Sequence, residues 1–135
     1  MDFSKLFSLE GKVALITGGS RGIGKMILEG YLAAGCARVY ITARKREQIA
    51  ETIAEFEAQY PGKVIGIPGD LSQMEDLKRV VADISARETK LDILVNNAGA
   101  AWGAEFDQFP EAGWDKVMDL NVKSLFFLTQ QLHGL

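Results

Sequence analysis

Residues 13–24 read VALITGGSRGIG, a short apolar run followed at once by a glycine-rich segment. The run is rich in β-branched residues and is typical of a buried strand. An apolar stripe at helical spacing comes next, formed by Ile23, Ile27, Tyr31 and Ala34. A glycine-rich turn between a strand and a helix offers free backbone N–H groups at the positive end of the helix dipole, which favours phosphate. The stretch therefore predicts a strand–turn–helix unit that binds a nucleotide.

The three spaced glycines have distinct expected tasks. Gly18 permits the tight turn, Gly22 lets a phosphate approach the backbone, and Gly24 lets the helix pack closely on the strand. The rest of the predicted cofactor loop is Ser20, Arg21 and Ile23.

Two other phosphate-binding patterns fail by one residue each. The G-x-G-x-x-G spacing needs a glycine where Ile27 stands. A G-x-x-x-x-G-K-[ST] loop fits from Gly19 to Lys25 but then meets Met26, which cannot ligate magnesium. The pattern therefore disfavours an ATPase.

The end of the second apolar run indicates which dinucleotide is bound. An NAD site wants a carboxylate about 20 residues past the glycines, to hold the ribose hydroxyls. Ala43 occupies that place, and Arg44, Lys45 and Arg46 follow it. A guanidinium in place of an acid suits a 2′-phosphate, and Arg21 could close on the same phosphate from the other side. We expect NADP(H), with Arg44 as the phosphate ligand and with Lys45 and Arg46 as a solvated helix start.

Four apolar runs, each separated by one helical stripe, organise the whole chain. The runs cover residues 13–17, 39–42, 64–67 and 92–95. Near-continuous apolar strands that alternate with amphipathic helices mean a parallel sheet covered on both faces. The predicted fold is α/β, a Rossmann-type doubly wound sheet of order 3-2-1-4 in a single domain (1–135) that stops before a fifth strand.

A last helix is expected from Glu111 to Leu132. Its first half sets Asp115, Asp119 and Lys123 opposite Trp114, Met118 and Leu125. Its second half is apolar nearly all round, through Leu125, Phe126, Phe127, Leu128 and Leu132. Such a helix is buried on every side, in a core or against a partner, which predicts a homo-oligomer through this helix.

Composition excludes several classes of protein. The 135 residues carry 15 basic and 18 acidic side chains, a net charge of −3, which argues against nucleic-acid binding. No run is long enough to cross a membrane, and the first residues lack the features of a signal peptide. One cysteine, Cys36, and one histidine, His133, exclude an internal disulfide and a multi-histidine metal site. We expect a cytoplasmic protein with a small-molecule substrate.

Four ordered motifs resemble the short-chain dehydrogenase/reductase family. They are Thr17-Gly18-x-x-x-Gly22-x-Gly24, Asp70-Leu71, Asn96-Asn97-Ala98-Gly99 and Asn121. The resemblance implies that Asp70 and Leu71 contact adenine, and that Asn97, Ala98 and Gly99 steady the sheet and line the nicotinamide side. It also implies a catalytic role for Asn121, in a kinked helix that supports a water-linked proton relay.

The residues alone leave two of these roles open. Asp70 could contact adenine or could cap the helix that follows it. Asn121 falls near the apolar stripe of Trp114, Met118 and Leu125, where an amide needs a specific partner. It is either the family's catalytic asparagine or a satisfied core amide.

Ketone reduction needs a proton donor, which the family supplies with a tyrosine, a lysine four positions later and a serine. None of the tyrosines Tyr31, Tyr40 and Tyr60 has a lysine four positions on. The resemblance therefore implies the N-terminal half of an NADP(H)-dependent oxidoreductase acting on a carbonyl or alcohol, inactive alone. Residues 96–104 and Arg44 look most like the 3-oxoacyl reductase branch. The alternatives are a nucleotide-binding or interaction module without catalysis, and a non-functional truncation.

Overall fold

Four parallel strands form one sheet in a computed structural model that describes residues 1–135. The strands are β1 (Val13–Thr17), β2 (Arg38–Ala43), β3 (Val64–Pro68) and β4 (Ile93–Val95). Their order is β3-β2-β1-β4, so β1 and β2 are central and β4 lies at an edge. The predicted class and strand order are confirmed.

Helices precede the first strand, connect the strands and follow the last one. They are α1 (Phe3–Leu6), α2 (Gly22–Ala33), α3 (Arg46–Glu57), α4 (Met74–Arg87), α5 (Glu111–Met118) and α6 (Ser124–Leu132). A 3₁₀ turn covers Phe106–Gln108, and a π turn (Asp119–Lys123) joins α5 to α6. The expected helix from Glu111 to Leu132 is therefore helical throughout but changes its winding in the middle. No helix has the length and apolar character needed to cross a membrane.

The two faces of the sheet bury separate apolar cores because successive strand side chains point to opposite sides. In β1, Ala14 and Ile16 point to one face, and Val13 and Leu15 to the other. The first face is covered by α2 and α3, through Leu28, Leu32, Ile49 and Phe56. The second is covered by α4 and α6, through Leu77, Val80, Ile84, Leu128 and Leu132. Both faces are covered, as expected.

The buried face of α2 differs from the expected one. The residues against the sheet are Gly24, Leu28 and Leu32, whereas Ile23 is 69% exposed and Ile27 is half-buried. The helix carries apolar residues on two adjacent stripes, so periodicity alone could not choose between them. The close contact at Gly24 selects the stripe that includes this glycine, because only a residue without Cβ fits there.

One side of α6 is covered by the rest of the chain. Leu128 and Leu132 are buried, while Leu125 is 42% and Phe126 59% exposed. Phe127 is half-buried and packs against the core beside α4. Burial on every side within the chain's own core is therefore wrong, and cover by a partner stays a prediction.

Candidate functional site

The glycine loop leaves the sheet at the carboxyl ends of the two central strands. The Gly18 N–H donates to the Thr42 carbonyl at 2.9 Å, which ties the loop to the end of β2. Gly18 and Gly22 have φ angles of +67° and +57°, in the left-handed region that favours glycine. Helix α2 then begins at Gly22 with Arg21 as its extended N-cap and with no side chain capping it. The first turn of α2 thus presents backbone donors that no side chain satisfies.

Open space and close packing alternate along this loop. A Cβ at Gly22 would meet nothing within 4 Å, so the space over this residue is free. A Cβ at Gly24 would lie 2.2 Å from the Gly18 carbonyl oxygen and 2.6 Å from Asn97 Nδ2, so a side chain is excluded there. The close packing at Gly24 agrees with its expected task. An open glycine at an uncapped helix start suits a phosphate group, and the phosphate contact at Gly22 stays a prediction.

Asn97 and Thr17 clamp the loop to the segment after β4. The Asn97 side chain donates from Nδ2 to the carbonyl oxygens of Thr17 (3.0 Å) and Gly18 (3.2 Å). The Thr17 hydroxyl accepts from the N–H groups of Asn97 and Ala98, both at 2.9 Å, and lies 3.3 Å from the Val95 carbonyl, to which it donates. This pattern agrees with the expectation that the asparagine segment steadies the sheet. Thr17 is the first residue of the loop motif, and sequence reasoning gave it no role of its own. Its place in that motif was the one signal that could have indicated such a role.

Asn121 lies in the π turn and binds the backbone of Ala100. Its Oδ1 accepts from the Ala100 N–H at 2.8 Å, and its Nδ2 donates to the Ala100 carbonyl at 2.9 Å. Gly99 leaves little room beside it, since a Cβ there would lie 3.3 Å from Oδ1. The amide has the specific partner that was expected, but it is exposed. A buried core amide is therefore wrong, and its catalytic role stays a prediction.

The π turn changes the winding at this point. The Ser124 N–H donates to the Asp119 carbonyl, five residues earlier. Such single turns are often found at functional positions in helices. The resemblance implied a kinked helix here, and the altered winding lies in the segment that carries Asn121.

Asp70 organises its own turn and does not cap α4. Its Oδ1 accepts from the Ser72 N–H (3.0 Å) and the Ser72 hydroxyl (2.7 Å), while the N-cap of α4 is Gln73. The capping alternative is therefore wrong. The Asp70 N–H and Arg79 both donate to Asp76, and these hydrogen bonds lower the pKa of the Asp76 carboxyl.

Leu71 is buried in the core with Leu77, at 6% exposure. Its side chain therefore serves the packing of α4, and an adenine contact would have to come from its backbone.

Two free guanidinium groups lie at the loop, one within it and one after β2. Arg21 and Arg44 are exposed, and neither forms an ion pair or a side-chain hydrogen bond. Arg44 follows β2 by one residue, so it stands two residues beyond the Thr42 carbonyl that holds Gly18. Ala43, at the end of β2, offers no carboxylate. The charges at this edge suit an anion.

The parallel order 3-2-1-4 and the glycine loop at the carboxyl edge define a Rossmann-type α/β architecture. The model of the family described as short chain dehydrogenase matches residues 12–134, nearly the whole chain. The chain belongs to this short chain dehydrogenase family.

Two curated relatives share sequence with nearly the whole of this chain. The chain is 50% identical over 126 residues to the rhamnolipids biosynthesis 3-oxoacyl-acyl-carrier-protein reductase of Pseudomonas aeruginosa, covering 93% of this chain and 48% of the relative. It is 35% identical over 129 residues to the NAD-dependent glycerol dehydrogenase of Listeria innocua, covering 95% and 48%. The chain therefore spans about half the length of the curated relatives that it matches.

Solved structures agree with this match. The Pseudomonas aeruginosa RhlG/NADP active-site complex superposes with a TM-score of 0.88 at 50% identity, covering 96% of this chain and 49% of that one. L-sorbose reductase from Gluconobacter frateurii, complexed with NADPH and L-sorbose, superposes with a TM-score of 0.88 at 28% identity, covering 94% and 48%.

Proposed function

We propose that this chain is the cofactor-binding half of an NADP(H)-dependent oxidoreductase that transfers hydride between the nicotinamide and a carbonyl or alcohol. The observation that carries the proposal is the free, uncapped glycine loop at the sheet edge with two unpaired arginines beside it. An acid that would favour the ribose hydroxyls of NAD is missing from the end of β2.

Each part of the edge has a binding task in this proposal. The backbone at Gly22 and the first turn of α2 hold the pyrophosphate, since they offer free N–H groups and open space. Arg21 and Arg44 pair with the 2′-phosphate. Asn97 holds the loop in shape, and Asn121 holds Ala100, beside the asparagine segment. When bound, the nicotinamide supplies or accepts the hydride.

Relatives support the finer part of the proposal. A 3-oxoacyl-type substrate is favoured by the 50% identity to the Pseudomonas reductase. The NAD-dependent Listeria relative shows that the family match does not decide the cofactor, so the arginines carry that choice. Because the chain holds no Tyr-x-x-x-Lys, we propose that the proton donor is supplied from outside these residues and that residues 1–135 form one cofactor domain without turnover alone.

A charge reversal at Arg44 tests the cofactor assignment. Arg44→Asp should raise the Kd for NADPH about tenfold or more and change that for NADH less, since a like charge then faces the 2′-phosphate. The matched control is Arg46→Asp, the same charge change on an exposed residue two positions on, where binding should hold within about twofold. Equal losses for both nucleotides would contradict the 2′-phosphate assignment, and so would an equal effect in the control.

A second variant tests the loop itself. Gly22→Val should abolish binding of both nucleotides, because the residue needs a positive φ and the side chain would fill the free space. Circular dichroism should still report most of the helix content, since Gly22 packs against nothing. Unchanged affinity in this variant would remove the loop from the site.

A further inference from the structure

Thr52 makes a polar contact between α3 and the glycine loop. The residue is 3% exposed, and its Oγ1 lies 3.0 Å from the Ser20 carbonyl oxygen and 2.9 Å from that of Gln48. Ser20 itself is 8% exposed and directly precedes Arg21. The hydroxyl therefore shares its single hydrogen between its own helix and the loop.

The Thr52 hydroxyl does not need the Ser20 carbonyl to satisfy its hydrogen bonding within α3. A threonine inside a helix satisfies its hydroxyl by donating to the carbonyl four residues earlier, which here belongs to Gln48. The Ser20 carbonyl lies 32 residues away in sequence, in the turn that positions Arg21. Thr52 thus joins two corners of the candidate site, the loop that carries Arg21 and the helix that begins just after Arg44.

Helix α3 packs closely on the sheet, so the Thr52–Ser20 contact depends on the position of this helix. A Cβ at Gly66 of β3 would lie 2.0 Å from Ile49, so α3 is packed directly on the strand there. A second polar contact joins α3 to the segment after the loop, the ion pair of Lys25 and Glu55, whose side chains are 34% and 52% exposed. Exposed pairs contribute little. The buried hydroxyl is therefore the contact best placed to fix α3 against the loop.

We propose that Thr52 is a positioning residue for selectivity between NADP(H) and NAD(H), an inference that rests on the proposed function. The side chains of Arg21 and Arg44 are long and solvated, so their grip on one phosphate depends on the separation of their backbones. The Gly18–Thr42 hydrogen bond ties the loop to β2, and the Thr52 hydroxyl adds the contact that holds Ser20, next to Arg21, against α3. It touches neither the nucleotide phosphates nor the nicotinamide.

The test uses Thr52→Val, which keeps the shape and removes the hydroxyl, and Thr52→Ser, which keeps the hydroxyl. Each is titrated with NADPH and with NADH, and folding is followed by circular dichroism. Ser124→Ala is the matched control, because it removes a buried hydroxyl that donates to the Leu120 carbonyl of its own helical segment and forms no hydrogen bond with the loop or with α3. We expect Thr52→Val to raise the Kd for NADPH about fivefold and that for NADH less than about twofold. Thr52→Ser and Ser124→Ala should keep the wild-type ratio.

The possible failures of the two proposals are distinguishable. If the wild type prefers NADPH and Thr52→Val keeps that preference, Thr52 has only a structural role and this inference is overturned alone. A wild type without preference overturns the cofactor assignment and this inference with it. If Thr52→Val does not fold, Thr52→Ala replaces it, and an unfolded Thr52→Ala also overturns the inference, since the hydroxyl would then serve folding.

Discussion

Asn97 uses one amide nitrogen to hold two carbonyl oxygens, those of Thr17 and Gly18, at the point where β1 becomes the glycine loop. The same nitrogen lies 2.6 Å from where a Cβ at Gly24 would stand. An asparagine at the end of an apolar strand is easily read as a ligand residue or a turn former. Here its side chain is committed to the protein, so its effect on a cofactor is exerted through the loop.

Removal of this side chain should be costly. Asn97→Ala removes the amide donor to two part-buried carbonyls and should lower the free energy of unfolding by about 1–3 kcal/mol. The neighbouring Asn96→Ala is a matched control, because it removes one exposed hydrogen bond, to Thr129 Oγ1 at 3.2 Å. Its cost should stay within about 0.5 kcal/mol. Urea unfolding of both variants gives the comparison, and equal costs would contradict the clamp.

Glycines in α2 should respond in opposite directions to the same substitution. Gly24→Ala would bring Cβ to 2.2 Å from the Gly18 carbonyl oxygen, and backbone must then shift, which should destabilise the fold by about 1–3 kcal/mol. Gly30→Ala meets nothing within 4 Å in the same helix and should stabilise the fold by about 0.5–1 kcal/mol. Thermal unfolding measures the change in stability of both variants. A Gly24→Ala variant as stable as the wild type would contradict the close contact between Gly24 and the Gly18 carbonyl.

At the scale of elements, a polar cluster joins the end of α4 to β2. Glu88, 8% exposed, accepts from Arg38 Nη2 at 2.8 Å and from the Tyr40 hydroxyl at 2.8 Å. The hydrogen bond from Arg38 lowers the pKa of Glu88. Burial, together with the hydrogen bond to Glu88, raises the pKa of Tyr40 to about 12. This cluster lies near the amino ends of the strands, away from the candidate site.

The cluster should make stability depend on pH in the acid range. A carboxyl with a lowered pKa in the folded state stabilises the fold above its unfolded pKa, about 4.3, and loses this contribution as pH falls through the folded value. Glu88→Gln should therefore be less stable than the wild type at neutral pH, and the difference should shrink below about pH 4. Urea unfolding between pH 3 and 7 measures the difference. A difference that stays constant would contradict the assigned role, and Glu29→Gln on the exposed side of α2 serves as control.

The elements themselves were largely predictable. Continuous apolar runs and turn residues predicted β1 with its bounds unchanged, and the helical stripes expected between the four runs correspond to α2, α3 and α4. The buried face of α2 could not be predicted, because a periodicity argument counts Gly24 as neither apolar nor polar. The π turn was also hidden from periodicity, since its extra residue changes the winding of only one turn.

At the scale of the whole molecule, the exposed side of α6 predicts association. The rings of Phe126 and Phe127 lie edge to face at 5.1 Å, with Phe126 outward and Phe127 toward the core. If a second copy covers this side, Phe126→Lys should shift the protein toward monomer in sedimentation velocity, without loss of fold. Phe127→Lys should instead lower the free energy of unfolding by about 1–3 kcal/mol, because it brings a charge to the core. Identical sedimentation of wild type and Phe126→Lys would contradict this association.

The segments that form the candidate site could be predicted from the sequence, but the hydrogen bonds that hold these segments together could not. The strand–turn–helix pattern and the arginines after β2 indicated where a nucleotide would lie. The contacts that hold the parts together, from Thr17 and Thr52, join residues 80 and 32 positions apart and leave no local pattern. In the sequence, Thr17 and Thr52 cannot be distinguished from other threonines of strands and helices, because their hydrogen-bond partners are distant along the chain.

The proposed function requires this edge of the sheet to bind NADP(H) in preference to NAD(H). The most direct test is a fluorescence titration of the 135-residue chain with NADPH and with NADH, after circular dichroism has shown that it is folded. We expect saturable binding with a Kd for NADPH at least about tenfold below that for NADH, since only NADPH carries the 2′-phosphate that Arg21 and Arg44 would hold. Equal affinity, tighter binding of NADH, or no binding by the folded chain would contradict it.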